Sequence, residues 1–361
     1  MTDERRTDER KLDERRTAQR FVLVGDDAGK TLAAVLRARM PDASWNRVRE
    51  LCSTGRVRVD GDEQLDAHVR MRGDETLEVD EAGRKRTAGV LDPRDVLHLD
   101  EDVIVVDKRA GVMTVPFEEG DRDTLADQVR AFLLREAKHR RASSQHEVRG
   151  RPSPRPAAKA RGHEDVEVGV VQRLDKDTTG VIVFARRHGA KRALDTQIRA
   201  HTAERRYLAL VHGHARDATH RTFLVQDRSD GLRGSWGASN FRGGRKHEGP
   251  PPEDAKESTT HVRLLEHLGT REAPASLVEC RLETGRQHQI RIHLSEAGHP
   301  LVGEPVYIRG FGGKPIEAPR TMLHAASLAF LHPRTGKRVQ FESPLPRDFE
   351  KALAALRLGA R

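Results

Sequence analysis

Cysteine is almost missing from this 361-residue chain: Cys52 and Cys280 are the whole supply. Two isolated thiols form no metal-ligand spacing and no disulfide framework. No apolar run reaches the roughly 18 residues of a membrane-spanning helix. The first twenty residues are mostly charged and hold no signal-peptide core, so a cytoplasmic protein is expected. Hydrophobic residues make up 36%, which looks thin. Counting the 30 glycines and leaving out the two tyrosines brings the share near the usual globular value of about 45–50%. A real core is therefore available, beside some solvated segments. What the chain has in quantity is charge, with 65 Lys or Arg against 56 Asp or Glu and a net +9. That sign suits a polyanionic partner. The length allows two or three domains.

Residues 1–20 repeat TDERR, TDERK, LDERR, with seven basic and six acidic side chains. A nearly neutral tail without apolar periodicity is expected to be disordered. From Phe21 the pattern changes. FVLV reads as a short strand. Leu32, Val35, Leu36 and Met40 fall at helical spacing before Pro41, and a second helix spans about Ser44 to Thr54, stopped by Gly55. Val57 and Val59 alternate ahead of an Asp60-Gly61 turn, and TLEV closes a compact module over residues 21–80. Residues 81–98 read as a polar linker.

The remainder, 99–358, alternates strands and helices. VIVV after Asp102 reads as a buried strand, and DTLADQVRAFLLREAK as an amphipathic helix with Asp123 or Thr124 near its cap. A helix near 188–200, the strand RRYLALVHG, strands near 259–267 and 276–283, a final strand pair and a C-terminal helix follow. Two stretches break the pattern, 138–164 and 228–257. Within the first, residues 138–162 hold eight Lys or Arg against one Glu, with Pro152, Pro154 and Pro156. A flexible basic insertion is expected there. The fold class is α+β: a mixed, largely antiparallel sheet with flanking helices, behind a small N-terminal α+β module.

The segment VVQRLDKDTTGVIVFA (170–185) poses the functional question. Its flanks are apolar, yet Arg173, Asp175, Lys176 and Asp177 sit in the middle. Buried charge is costly unless paired. Either this is a polar turn facing water, or a carboxylate is being presented at the lip of a sheet.

Four ordered blocks favour the second reading: QRLDKDTTG (172–180), RRYLALVHG (205–213), TGRQHQIRIHL (284–294) with GHPLVGEPVY (298–307), and MLHAASLAFLHPRTG (322–336). The set resembles the RluA-type pseudouridine synthases, which isomerise uridine in RNA to its carbon-linked form. The front module, with S-x-x-R-V-R-E-L-x-x-x-G-R-V-R-V-D-G and a later V-x-M-x-G-D, resembles the S-four type RNA-binding domain. That likeness implies RNA contacts from Arg47, Arg49 and Arg56, and the basic sign agrees.

The family resemblance implies Asp175 as the catalytic carboxylate, paired with Arg291, and Tyr207 as the active-site tyrosine. Isomerisation breaks the bond between base and sugar, turns the base and joins the ribose to carbon 5. A carboxylate serves by attacking the sugar or the base, or by taking a sugar proton, and an adjacent cation favours its charged form. The site must exclude water. An aromatic ring is a natural platform for an unstacked base. Arg173 is a candidate for binding a phosphate or helping to open the RNA, and Arg286 for the same or for locking the T-G-R turn. His288, His293 and His324 read as structural. Asp177 and Thr179 are expected to fix the loop through side-chain-to-backbone bonds, and Gly180 to permit the turn. The family usually has histidine where this chain has Gln172, which cannot titrate; that bears on substrate positioning. No metal or organic cofactor is implied. The partner is structured RNA, ribosomal RNA first and transfer RNA as an alternative, and a monomer is expected. The rival reading is a catalytically silent RNA-binding or ribosome-assembly protein. A glycosidase-like hydrolase lacks a second carboxylate in a comparable motif.

Overall fold

The computed structural model describes residues 18–64, 67–81, 90–117, 121–147, 167–228, 230–237 and 249–359, with no side-chain description at 62–63 and 140–147. The tail over 1–17, the linker segment 82–89 and insertion segments 148–164 and 238–248 lie outside the described residues. The chain divides into two units, Met1–Val90 and Leu91–Arg361.

In the first unit, strands β1 (Gln19–Val22), β2 (Val57–Val59), β3 (Asp62–Glu63) and β4 (Thr76–Val79) form an antiparallel sheet in the order β1-β4-β2-β3. Asp60 and Gly61 both take positive φ, 53° and 89°, as a two-residue hairpin turn requires. Helices α1 (Leu32–Arg39) and α2 (Trp45–Ser53) are capped by Thr31 and Ser44, whose hydroxyls accept from Ala34 N and Arg47 N. Leu32, Val35 and Leu36 of α1 meet Val48, Leu51 and Cys52 of α2 over Val57, Leu77 and Val79.

The second unit is an eleven-stranded sheet. Its strands are β5 (Val96–Leu99), β6 (Val103–Lys108), β7 (Gly169–Val170), β8 (Thr179–Ala185), β9 (Glu204–His212), β10 (Ala218–Val225), β11 (Gly234–Ser235), β12 (Lys256–Gly269), β13 (Pro274–Leu282), β14 (Leu323–Leu331) and β15 (Arg338–Glu342). The order is β11-β10-β12-β13-β9-β14-β8-β6-β5, with β15 on β14 and β7 on β8. Only β8 and β14 run parallel among the described pairs. Helices α3 (Leu125–Glu147), α4 (His188–Arg199), α5 (Gln289–Glu296) and α6 (Arg347–Gly359) flank it. The VIVV run is apolar throughout because both faces are covered. Ile104 and Val106 lie in one core with Val129 and Phe132 of α3, while Val103 and Val105 lie in another with Ala190 and Leu194 of α4.

Four boundaries differ from the sequence expectations. Helix α3 runs on through Glu147, into the expected insertion, because its charge run carries no Gly or Pro before Gly150. Strand β5 occupies the end of the expected linker, pairing Val96 with Val106 and Leu99 with Ile104. The second insertion contributes β11, and β12 already begins at Lys256. Strand β1 begins at Gln19, inside the expected tail, where Gln19 and Arg20 pair with Val79 and Glu78. Thr124 proves to be the cap of α3: its hydroxyl accepts from Asp127 N, and the Asp127 carboxylate accepts from Thr124 N, a reciprocal capping box.

The loop between β7 and β8 is held by its backbone. Thr114 Oγ1 donates to Leu174 O and accepts from Leu174 N, at 2.8 and 3.1 Å. Lys108 Nζ, buried at the end of β6, donates to the carbonyls of Lys176, Thr178 and Arg109 at 2.8, 2.8 and 3.0 Å. Arg320 Nη1 donates to the intervening carbonyl of Asp177 at 3.0 Å and is anchored on Asp348. Thr179 differs from expectation. Its hydroxyl bonds the His324 ring, whose other nitrogen reaches Ser343 O, so that nitrogen carries the hydrogen and Thr179 donates. Gly180 takes φ 108°, a backbone conformation that favours glycine, and it also permits close approach, since a Cβ there would lie 2.2 Å from Ala325 O of the parallel neighbour β14.

Lys108 thus places three donors on three carbonyls in a buried setting, and burial pulls its pKa down to about 7. Between pH 7 and the ordinary lysine value of about 10.4, the unfolded chain binds a proton that the folded chain does not, so this group makes stability rise with pH. Lys108→Met should cost several kcal/mol, at about 1–3 kcal/mol for each carbonyl left buried and unpaired. Urea unfolding of both proteins should show the gap widening from pH 7 to pH 10; a gap that narrows over that range would contradict this account.

Candidate active site

Asp175 sits in the middle of the clamped loop, with its side chain 24% exposed. It borders a cleft of about 100 Å³ that Gln172, Arg173, Arg205, Tyr207, Arg286, His288 and Arg291 also line. Five of the residues singled out in the sequence, Asp175, Tyr207, Arg291, Arg173 and Arg286, therefore come together from separate segments. Arg47, Arg49 and Arg56 belong to the first unit, on α2 and the turn after it.

Arg291 reaches the cleft from the first turn of α5, whose Ile290 and Leu294 are buried in the main core. Its Nη1 lies 3.4 Å from Asp175 Oδ2, the distance of a loose ion pair. The tighter partner is Glu304, fully buried, which accepts from Arg291 Nε and Nη2 at 2.8 and 2.7 Å. Burial works against the Arg291 charge, but the hydrogen bonds and charge of Glu304, with Asp175 behind them, outweigh it and raise its pKa above the ordinary value. Glu304 is fixed in turn by the backbone N–H groups of Val306 and Tyr307. The Tyr307 ring lies under the Arg291 guanidinium at 5.3 Å, within cation–π range, and its hydroxyl bonds His288 Nδ1. This bidentate geometry aims the remaining nitrogen of Arg291 at Asp175. Asp175 Oδ1 has no partner among the described residues, so one carboxylate oxygen is held and the other is open to the cleft.

The turn before α5 is equally fixed. Gln289, 2% exposed, accepts from Thr284 Oγ1 and Arg286 N and donates to Thr259 O and Thr260 Oγ1, at 2.8–3.0 Å. Arg286 itself is exposed, with one 3.3 Å contact to Glu257 O. Arg173 is exposed too. Both residues line the cleft from exposed positions.

Tyr207 lies on β9 with 7% exposure, one edge in the core and the other on the cleft. Its hydroxyl makes no hydrogen bond among the described residues, and burial raises its pKa. It stays neutral at physiological pH.

Residues the sequence reading passed over include Glu304 and Gln289, although both lay in quoted blocks. A carboxylate 13 positions after Arg291 carries no local spacing signal. Lys108, Arg320 and Arg205 were missed because nothing in a strand or a loop announces a buried cation. One metal-like group occurs among the described residues, His98, Asp100 and His332. His332 Nδ1 accepts from Arg334 N and Thr335 N, so Nε2 carries the hydrogen and donates to Asp100 at 2.8 Å. In that tautomer the His332 ring has no lone pair free for a metal.

Comparison with known proteins identifies the family. The family model described as RNA pseudouridylate synthase matches residues 102–296. A protein named ribosomal large subunit pseudouridine synthase D, from Xanthomonas campestris pv. campestris, is 33% identical over 350 residues, 91% of this chain and 90% of its own. Its namesake from Neisseria meningitidis serogroup B is 31% identical over 344 residues, covering 92% and 80%. The solved structure of human RNA pseudouridylate synthase domain containing 4 superposes with a TM-score of 0.51 at 20% identity, over 73% of this chain and 93% of that one, a likeness of fold. With a match across more than half its length and relatives aligned almost end to end, the chain belongs to the RNA pseudouridine synthases, isomerases that turn uridine in RNA into its carbon-linked form.

Proposed function

We propose that Asp175 is the carboxylate on which the isomerisation depends. The observation carrying this is its half-held state: Oδ2 faces an Arg291 that Glu304 has locked in place, and Oδ1 is open to the cleft. Tyr207 forms the wall against which the unstacked base lies, and Arg173 and Arg286 take phosphates at the rim. The reaction transfers no electrons and adds no atoms, so it calls for no cofactor or metal. The relatives' names support ribosomal large-subunit RNA as substrate; a cytoplasmic monomer belongs to the same proposal. Among the described residues no helix is long and apolar enough to cross a membrane.

The first unit supplies RNA affinity in this reading, as an S-four type module. Its three arginines are not equally free. Arg47 is shared between Glu50 and Glu81 at 3.1 and 3.3 Å, and Arg56 Nε is buried without a partner. Arg49 is exposed, on Asn46 alone, and is the readiest to meet a phosphate.

Asp175→Asn should keep the fold and RNA binding yet lower conversion by several orders of magnitude, as removal of a central catalytic group does. Pseudouridine mapping in total RNA, from cells lacking the gene and supplied with either form, reads this out. Near-normal modification by the variant would refute the role of Asp175, and absence of any site that depends on the wild-type gene would favour the silent binding protein.

The basic residues Arg149, Arg151, Arg155, Lys159 and Arg161 add non-specific phosphate contacts. Replacing all five with serine should flatten the log–log salt dependence of RNA binding by about 3, for about four contacts at roughly 0.7 each on single strands. Turnover at saturating RNA should hardly change. An unaltered salt slope would make this segment a spectator.

A further inference from the structure

Four buried side-chain polar atoms lack a hydrogen-bond partner among the described residues, and two of them, Arg205 Nε and Gln172 Oε1, belong to residues that line the Asp175 cleft. Native proteins leave few such atoms unexplained. Arg205 is 4% exposed and forms no ion pair among the described residues; its one hydrogen bond runs from Nη2 to Glu283 O at 2.6 Å. Burial lowers its pKa, but a guanidinium does not deprotonate in proteins. A desolvated, unpaired cation costs several kcal/mol. The fold nevertheless makes room for it: a Cβ on Gly285 would lie 2.4 Å from Arg205 Nη1, so the glycine of the Thr284–Arg286 turn is what lets the guanidinium lie against that backbone. On β9, Arg205 and Tyr207 are two positions apart and share one face of the strand.

We infer that Arg205 is a catalytic residue, donating to a carbonyl oxygen of the target uracil and stabilising the negative charge the ring acquires during isomerisation. The inference rests on the reading of this cleft as the uridine site. When the bond between N1 and the sugar carbon breaks with its electron pair left on the base, that charge spreads onto the ring carbonyl oxygens. Carbon 5 then bonds to the sugar carbon and loses its proton, N1 gains one, and atoms and electrons balance with no co-reactant. If Asp175 instead adds to the ring first, the charge again falls on a carbonyl oxygen, so the role of Arg205 does not depend on the route. A fixed cation in a dry site, aimed where charge develops, needs no reorganisation at the moment of reaction. Gln172 Oε1 offers the matching acceptor for the ring N3–H of uracil, where cytosine would present a lone pair. A phosphate is the poorer occupant, because Arg205 is buried whereas Arg173 and Arg286 are exposed at the rim.

The test uses full-length protein and total RNA from cells lacking the gene, which holds the target whatever its identity. Under single-turnover conditions Arg205→Ala should lose about 10²–10³-fold in maximal rate, the range for removing one oxyanion donor, with RNA affinity changed less than threefold. Millimolar guanidinium should restore at least tenfold of the loss, which a purely structural role would not show. Arg205→Lys, keeping the charge, should fold as the wild type does and fall between the two. A maximal rate within threefold of wild type for Arg205→Ala overturns the inference. So does a loss confined to RNA affinity, which would make Arg205 a phosphate contact, or a loss that guanidinium leaves untouched while Arg205→Lys is equally inactive. Failure of the wild-type protein to convert the same RNA would count against the reading of the cleft itself, and is told apart by that control.

Discussion

Three consecutive carbonyl oxygens, those of Lys176, Asp177 and Thr178, end on two buried side chains, Lys108 and Arg320. A loop of six or so polar residues would otherwise move with solvent, as exposed connections do. Here its carbonyls end on fixed N–H donors, and each donor is itself rooted in a strand end or in Asp348. Asp175, one residue ahead of that run, inherits the rigidity. Everything proposed for the cleft requires a carboxylate held to within a fraction of an ångström, and this clamp supplies it from the backbone side.

The charges of the cleft are arranged in layers. Glu304 is completely buried and bonded four ways, twice by Arg291 and twice by backbone N–H groups. Such a pair is a weak source of net stability, because desolvation offsets most of its attraction. Its value lies in direction: with two of its nitrogens committed to Glu304, Arg291 offers Asp175 only Nη1, at the looser distance of 3.4 Å. On the other wall stands Arg205, a buried cation with no carboxylate partner among the described residues. The cleft thus joins a cation paired with Glu304 and Asp175 to one that has no carboxylate partner among the described residues. In the proposed role, the ring carbonyls of a bound uracil accept from that second cation in a site that excludes water.

Much of this was legible in the chain. Helical and strand periods placed most elements, because apolar spacing is a local property, but left β10 and β11 unplaced. Block order and the R-L-D-K-D run singled out Asp175, Tyr207 and Arg291. Misplaced boundaries came from composition standing in for structure. The basic run after Lys138 suggested a flexible segment, yet residues up to Glu147 have no helix breaker and continue α3. Val96–His98 lay among polar neighbours and was taken into the linker, yet β6 offered it an edge to pair with.

What the sequence by itself determined is therefore the kind of chemistry, the segment that carries it and the two-unit character of the chain, since each depends on short-range pattern. Only the tertiary structure decided which charges have partners. Asp175 and Arg291 are 116 positions apart, Lys108 and Thr178 are 70, and Arg320 and Asp177 are 143. Pairing at that range is set by sheet order, above all by β8 lying between β6 and β14, and sheet order leaves no trace in local spacing. The same holds for a missing partner. Nothing in RRYLALVHG distinguishes Arg205 from Arg206, yet strand alternation turns one into a buried, unpaired charge on the cleft and the other out toward Glu204 and Glu279.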